Sequence, residues 1–186
     1  MRRIYLTILK LGGSVITVKE KASTPDTRAI QRLSREIARA GCRSMIIVHG
    51  GGSFGHFLAS KYKIKEGYKS PEQLLGFSKT RQNMVALNKL IVDALIMNKV
   101  PAASVQPSAC FLTEEGRVSY VSLKTITGFL ELKLVPVLYG DAVLDAKLGF
   151  TILSGDQIAS NLAIALNLER IILGVDVDGL YTSDPK

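Results

Sequence analysis

The stretch Ile46–His56, IIVHGGGSFGH, decides how the fold is read. An apolar run ends at His49. Gly50, Gly51 and Gly52 follow, then Ser53, Phe54, Gly55 and His56. A hairpin turn needs one or two glycines, so the others answer a different need. Consecutive glycine N–H groups between a strand and a helix form a concave donor surface for an anion. Glycine also lets the main chain approach a phosphate with no Cβ in the way. A second loop of this kind, LKLGGSV, ends the first apolar run with Gly12, Gly13 and Ser14, immediately after Lys10. In parallel α/β sheets ligands bind beyond the carboxyl ends of the strands, so two such loops face one crevice.

Neither loop is a Walker A sequence, since G-x-x-x-x-G-K-[ST] is absent. Gly50–Gly55 does match G-x-G-x-x-G, but a dinucleotide unit needs a further strand about 20 residues on that ends in a carboxylate. HFLASKYKIKEGYKSPEQLL contains no such strand.

Around these loops the apolar runs IYLTILKLG, SMIIVHG, LVPVLYG and RIILGVD read as buried strands. They are rich in Ile, Val and Leu with little polar alternation, as expected for parallel strands covered on both faces. Helical patterns lie between them. One runs from Asp26 to Ala40 and stops at Gly41, and a long one runs from Pro71 to Asn98, with Met84, Leu87, Ile91 and Leu95 at helical spacing. A third, Ser154 to Asn167, opens on a capping serine. VSYVS and AVLDAKLGFTIL read as hairpins packed at an edge. The alternation predicts a three-layer α/β sandwich with a mainly parallel central sheet.

Composition narrows the classes. The chain has 186 residues, 47% of them hydrophobic, and a net charge of +8. The basic residues are spread along it without an arginine-rich tract or interleaved aromatics, which argues against a nucleic-acid partner. No stretch approaches the roughly 18 apolar residues of a membrane span. Cys42 and Cys110 stand far apart with no metal-ligand spacing, as suits a reducing, cytoplasmic setting.

Five pieces then carry a resemblance: Lys10–Ser14, His49–His56, Tyr139-Gly140-Asp141, Ser154-Gly155-Asp156 and Asp176-Val177-Asp178-Gly179-Leu180-Tyr181. In order and spacing they resemble the amino acid kinase family, over essentially the whole chain. Within it, the second histidine of H-G-G-G-S-F-G-H is similar to that of the isopentenyl phosphate kinases and the related fosfomycin-phosphorylating kinases. Family chains continue past the D-x-D-G turn with further nucleotide-binding elements. The resemblance therefore implies one domain over residues 1–186, its substrate-binding part complete and its nucleotide-binding part incomplete at the C-terminus.

The resemblance implies ATP-dependent phosphorylation of isopentenyl phosphate to isopentenyl diphosphate, a step of isoprenoid biosynthesis by an alternative mevalonate route, in a homodimer. Another acceptor, a phosphonate or a small acid, stays open, as does a non-catalytic phosphate-binding role. By resemblance Lys10 touches the ATP phosphates, Lys19 stabilises the transition state (Lys21 is close enough to be confused with it), and Asp156 orients the lysines. Gly51, Gly155 and His56 hold the substrate phosphate, with His56 closing over it. Gly52 serves the transferring group, and Gly12, Gly13, Ser14, Asp176, Gly179 and Tyr181 lie near ATP. Mg²⁺ accompanies ATP, with no dedicated protein cage. His49 reads as structural. For an isoprenoid tail, the long helix offers Phe77, Met84, Ile91 and Leu95 as candidate lining, although each of them taken singly reads first as plain core.

Overall fold

A computed structural model describes residues 6–41, 44–168, 170–177 and 179. In chain order the elements are β1 (Thr7–Leu11), α1 (Gly13–Ile16), α2 (Thr27–Ala40), β2 (Met45–His49), α3 (Gly52–Lys61), α4 (Glu72–Met97), β3 (Ala102–Ser104), α5 (Pro107–Cys110), β4 (Phe111–Glu114), β5 (Arg117–Val121), α6 (Lys124–Glu131), β6 (Val135–Tyr139), β7 (Asp141–Asp145), β8 (Gly149–Leu153), α7 (Gly155–Ala165) and β9 (Ile171–Gly174).

The central sheet runs β3-β6-β2-β1-β9, parallel throughout. Side chains alternate across it with the period of two that a pleated strand imposes. Leu11, Ile47, Val135 and Val137 face the layer holding Ile30 and Ile37 of α2 and Met84, Leu87, Ile91 and Leu95 of α4. Ile8, Ile46, Val48 and Leu138 face Ile126 of α6 and Ile158 and Leu162 of α7 on the other side. These two cores make the sandwich. The helix ends are set locally. The Asp26 side chain accepts from Ala29 N–H at one end of α2, and Gly41 closes the other with φ 62°. Ser154 and Gln157 form a reciprocal capping box at the start of α7.

Two expectations are corrected. VSYVS and AVLDAKLGFTIL do form hairpin strands, β5 against β4 and β7 against β8, but they are not packed at an edge of the central sheet. They belong to a separate four-stranded sheet, β5-β4-β7-β8. The Asp145 carboxylate ties its two turns together, accepting from Gly116 N–H at 2.8 Å and from Lys147 and Leu148 N–H at 2.9 Å. RIILGVD forms β9, but Ile172 and Leu173 are exposed. β9 is the outermost strand of the described sheet, and an unbroken apolar run does not reveal a strand's place in the order.

Candidate active site

The carboxyl ends of β1, β2 and β6 meet in one layer of backbone. Gly50 N–H donates to the Leu11 carbonyl and Gly140 N–H to the His49 carbonyl, both at 2.9 Å. The two glycine loops touch through their main chains. A Cβ on Gly13 would lie 2.2 Å from Gly52 N, and one on Gly50 would lie 2.7 Å from Gly13 N. On Gly155 it would come within 2.9 Å of the His49 carbonyl oxygen. The third glycine of the run, Gly52, also needs φ +47°. Gly13, Gly50, Gly52 and Gly155 therefore serve close main-chain contact between the loops.

Thr17 fastens the two loops. Its buried hydroxyl donates to the Gly13 carbonyl at 2.8 Å and accepts from Ser53 N–H at 3.0 Å. Ser53 in turn holds the segment that carries Lys19: its carbonyl accepts from Ser23 N–H, and its hydroxyl meets Thr24 N–H and C=O. Thr17→Val should leave the Ser53 amide buried without an acceptor and cost about 1–3 kcal/mol, read from urea denaturation. An unchanged midpoint would show that the loops do not depend on this tie.

Above this layer lies a cavity of about 480 Å³ lined by Lys10, Gly12, Gly13, Ser14, Lys19, Gly51, Gly52, His56, Gly155, Asp156 and Asp176. Eleven sequence-predicted residues thus share one space. Lys10 is the penultimate residue of β1, with its side chain only 10% exposed and its Nζ 2.9 Å from Asp156 Oδ1. Lys19 Nζ sits 2.7 Å from Asp176 Oδ2, and Ser14 Oγ donates to Asp176 Oδ1 at 2.8 Å. The bonds from Lys19 and Ser14 lower the Asp176 carboxyl to about 2, and the same contact raises Lys19. Lys19 lines the cavity and Lys21 does not.

Gly51 caps α3, which has no side-chain cap, and Gly52 and Gly155 are first residues of α3 and α7. Such N–H groups have no intrahelical acceptor. Among the described residues none accepts from these three. They face the cavity at positive helix ends, where an anion is favoured. His56 is exposed on α3 beside them, whereas His49 is fully buried below and does not line the space. Gly179 is exposed and outside the cavity, and Tyr181 lies outside the described residues.

The apolar wall differs from the expected one. Of the four α4 candidates only Met84 lines the cavity. Ile91 and Leu95 belong to the core against the sheet. Phe77 packs on Phe150, with ring centroids 5.2 Å apart. The wall is instead Phe57, Ala59 and Thr80 with Met84 and Ile152. Two signals pointed there: Phe57 follows His56, and Ile152 lies two residues before the capping Ser154 on an alternating strand. Asp141 also lines the cavity; burial raises its carboxyl, although Arg81 and the Ser108 N–H oppose the shift.

The model of the amino acid kinase family matches residues 6–186. The isopentenyl phosphate kinase of Methanothermobacter thermautotrophicus is 43% identical over 188 residues, covering 97% of this chain and 71% of that protein. An X-ray structure of isopentenyl phosphate kinase superposes with a TM-score of 0.91 at 43% identity, covering 96% of this chain and 75% of that one. The T. acidophilum isopentenyl phosphate kinase product complex gives a TM-score of 0.85 at 33% identity, over 97% and 74%.

Proposed function

This chain belongs to the amino acid kinase family, and we infer from its site that it transfers the γ-phosphoryl group of ATP to isopentenyl phosphate. One observation carries the reading. Lys10, Lys19 and the free amides of Gly51, Gly52 and Gly155 converge on a single cavity that also has an apolar wall. That arrangement suits two phosphorylated ligands, one with a hydrocarbon tail.

The chemistry asks for little proton transfer. A phosphate monoester has its second pKa near 6, so at pH 7 the acceptor is mostly dianionic and needs no general base. An acceptor oxygen forms a bond to the γ-phosphorus, the bond from that phosphorus to the β,γ-bridging oxygen breaks, and ADP carries away the electron pair. The barrier is repulsion between anions and the charge spreading over the equatorial oxygens. Lys10, desolvated and aimed by Asp156, meets that charge, and Lys19 approaches from the rim. The amides of Gly51 and Gly155 hold the acceptor phosphate, the Gly52 amide serves the transferring group, and His56 closes over the acceptor. Gly12, Gly13, Ser14 and Asp176 line the nucleotide side. Phe57, Met84 and Ile152 receive the tail.

Mg²⁺ belongs to this proposal as ATP's companion, supplying charge neutralisation on the phosphates. Among the described residues no group of three or more His, Cys, Asp or Glu side chains could hold a metal ion. Asp156 and Asp176 are each engaged with a lysine, so phosphate oxygens and water would supply the ligands. We further propose a single cytoplasmic domain over residues 1–186 that acts on small molecules as a homodimer. No helix of the described residues is long and apolar enough to cross a membrane.

Coupled ADP release with isopentenyl phosphate as acceptor tests the activity. A strong preference for fosfomycin in competition would overturn the acceptor. His56→Ala should lower kcat/KM for isopentenyl phosphate about a hundredfold, through loss of a charge-assisted bond, with KM for ATP nearly unchanged. Wild-type turnover by this variant would remove His56 from the site.

A further inference from the structure

His49 is fully buried under the anion-binding loop, yet both of its ring nitrogens face polar atoms. Nδ1 lies 3.0 Å from the carbonyl oxygen of Gly50. A carbonyl oxygen only accepts, so Nδ1 carries a proton. Burial lowers the ring to about 4, so at neutral pH it is uncharged and Nε2 must be an acceptor. Asn88, itself 2% exposed, meets that need with its Nδ2 3.2 Å from Nε2. Its Oδ1 accepts in turn from the Ser104 hydroxyl. The chain Ser104–Asn88–His49–Gly50 is thus consistent in only one direction of donation. The ring is further held by stacking on Tyr139, with centroids 5.6 Å apart and planes inclined by 24°.

The last member of that chain is the peptide that matters. The Gly50–Gly51 bond is trans, as are all the described bonds, so the Gly51 N–H points opposite to the Gly50 carbonyl. Two consecutive glycines place no side chain on this peptide to limit its rotation. A donor beneath the carbonyl therefore decides where the amide above it points. We propose that His49 is a positioning residue: fixed as its Nδ1–H tautomer by Asn88, it locks the Gly50–Gly51 peptide so that the Gly51 N–H is aimed into the anion cradle. The kinetic part of this inference rests on the acceptor assigned above; the tautomer does not.

The chain has two histidines, His49 and His56, so a long-range ¹H–¹⁵N spectrum of the side chains is readily assigned with the His56→Ala variant. One ring should show the Nδ1–H pattern, unchanged between about pH 5.5 and 8.5. Titration with inorganic phosphate should shift the Gly51 amide. Two substitutions separate positioning from packing. Asparagine places an amide nitrogen near the Nδ1 position, whereas glutamine places one near Nε2. His49→Asn should keep KM for isopentenyl phosphate within about threefold, and His49→Gln should raise it about tenfold, each leaving KM for ATP within about twofold. Equal KM values in the two variants, or an Nε2–H tautomer in the unsubstituted protein, would overturn the proposal. If His49→Gln does not fold, the tautomer and the Gly51 shift decide. If the protein does not phosphorylate isopentenyl phosphate, the acceptor assignment fails, and the same two spectra still judge His49.

Discussion

Lys10→Ala should lower kcat on the order of a thousandfold while raising KM for either substrate less than about tenfold. The asymmetry follows from where the ammonium sits. The residue is 8% exposed, near the end of a central strand, so water screens it poorly and its field on nearby oxygens is strong. Asp156 holds it at 2.9 Å from one side while remaining 68% exposed itself. The lysine is therefore aimed before substrate arrives, and its charge counts most when the transferring group carries the most negative charge. Asp156→Asn should show the same pattern at smaller size, because the cation persists and only its aim is lost. Lys10→Arg should not rescue, since a planar fork cannot take the place of a compact ammonium in so tight a setting. Single-turnover kinetics with each substrate saturating provides the measurement. A variant altered only in KM would mean that Lys10 binds ground states and does not act on the transfer.

Gly52→Ala should cost about 3 kcal/mol or more, much more than Gly41→Ala, although both glycines have positive φ. Gly41 has φ +62°, and a Cβ added there would meet nothing within 4 Å, so its substitution carries only the left-handed backbone cost of about 1–2 kcal/mol. At Gly52 the same atom would lie 2.1 Å from Thr17 Oγ1 and 2.6 Å from the Gly13 carbonyl oxygen. The first neighbour is a buried hydroxyl already holding two bonds, and the second is main chain, so neither yields cheaply. Matched urea denaturation of the two variants gives the difference. Equal losses would show that the loops can separate without cost.

What the sequence revealed was whatever depends on short range. Asp26 and Gly41 bound a helix, Ser154 opens another, and continuous Ile/Val runs made parallel strands, because caps and periodicity act within a few residues. Lys10, the glycines and Asp156 were legible because each sits at a strand-to-helix junction. The second sheet was not: β4 meets β7 through a single register pair, Thr113 with Asp145, a contact no local pattern encodes. The apolar wall of the cavity was not legible for a related reason. Phe77, Met84, Ile91 and Leu95 lie on one helix, but only its tertiary neighbours decide which face meets the sheet and which the cavity. Asn88 was invisible too, being one polar residue in a long helix, and it acquires meaning only against a ring 39 positions earlier.

The position of β1 between β2 and β9 has a consequence in time. Lys19 and its partner Asp176 are 157 residues apart. At ribosomal speeds of about 5–20 residues per second, the lysine waits roughly eight to thirty seconds before its carboxylate has been made. Through that interval β2 can already flank β1 on one side, while the other flank presents an unpaired ladder of amides and carbonyls, open to any strand that matches it. A hairpin leaves no such edge waiting, whereas here the Lys19–Asp176 pair joins the rim of the cavity long after the two glycine loops have been made.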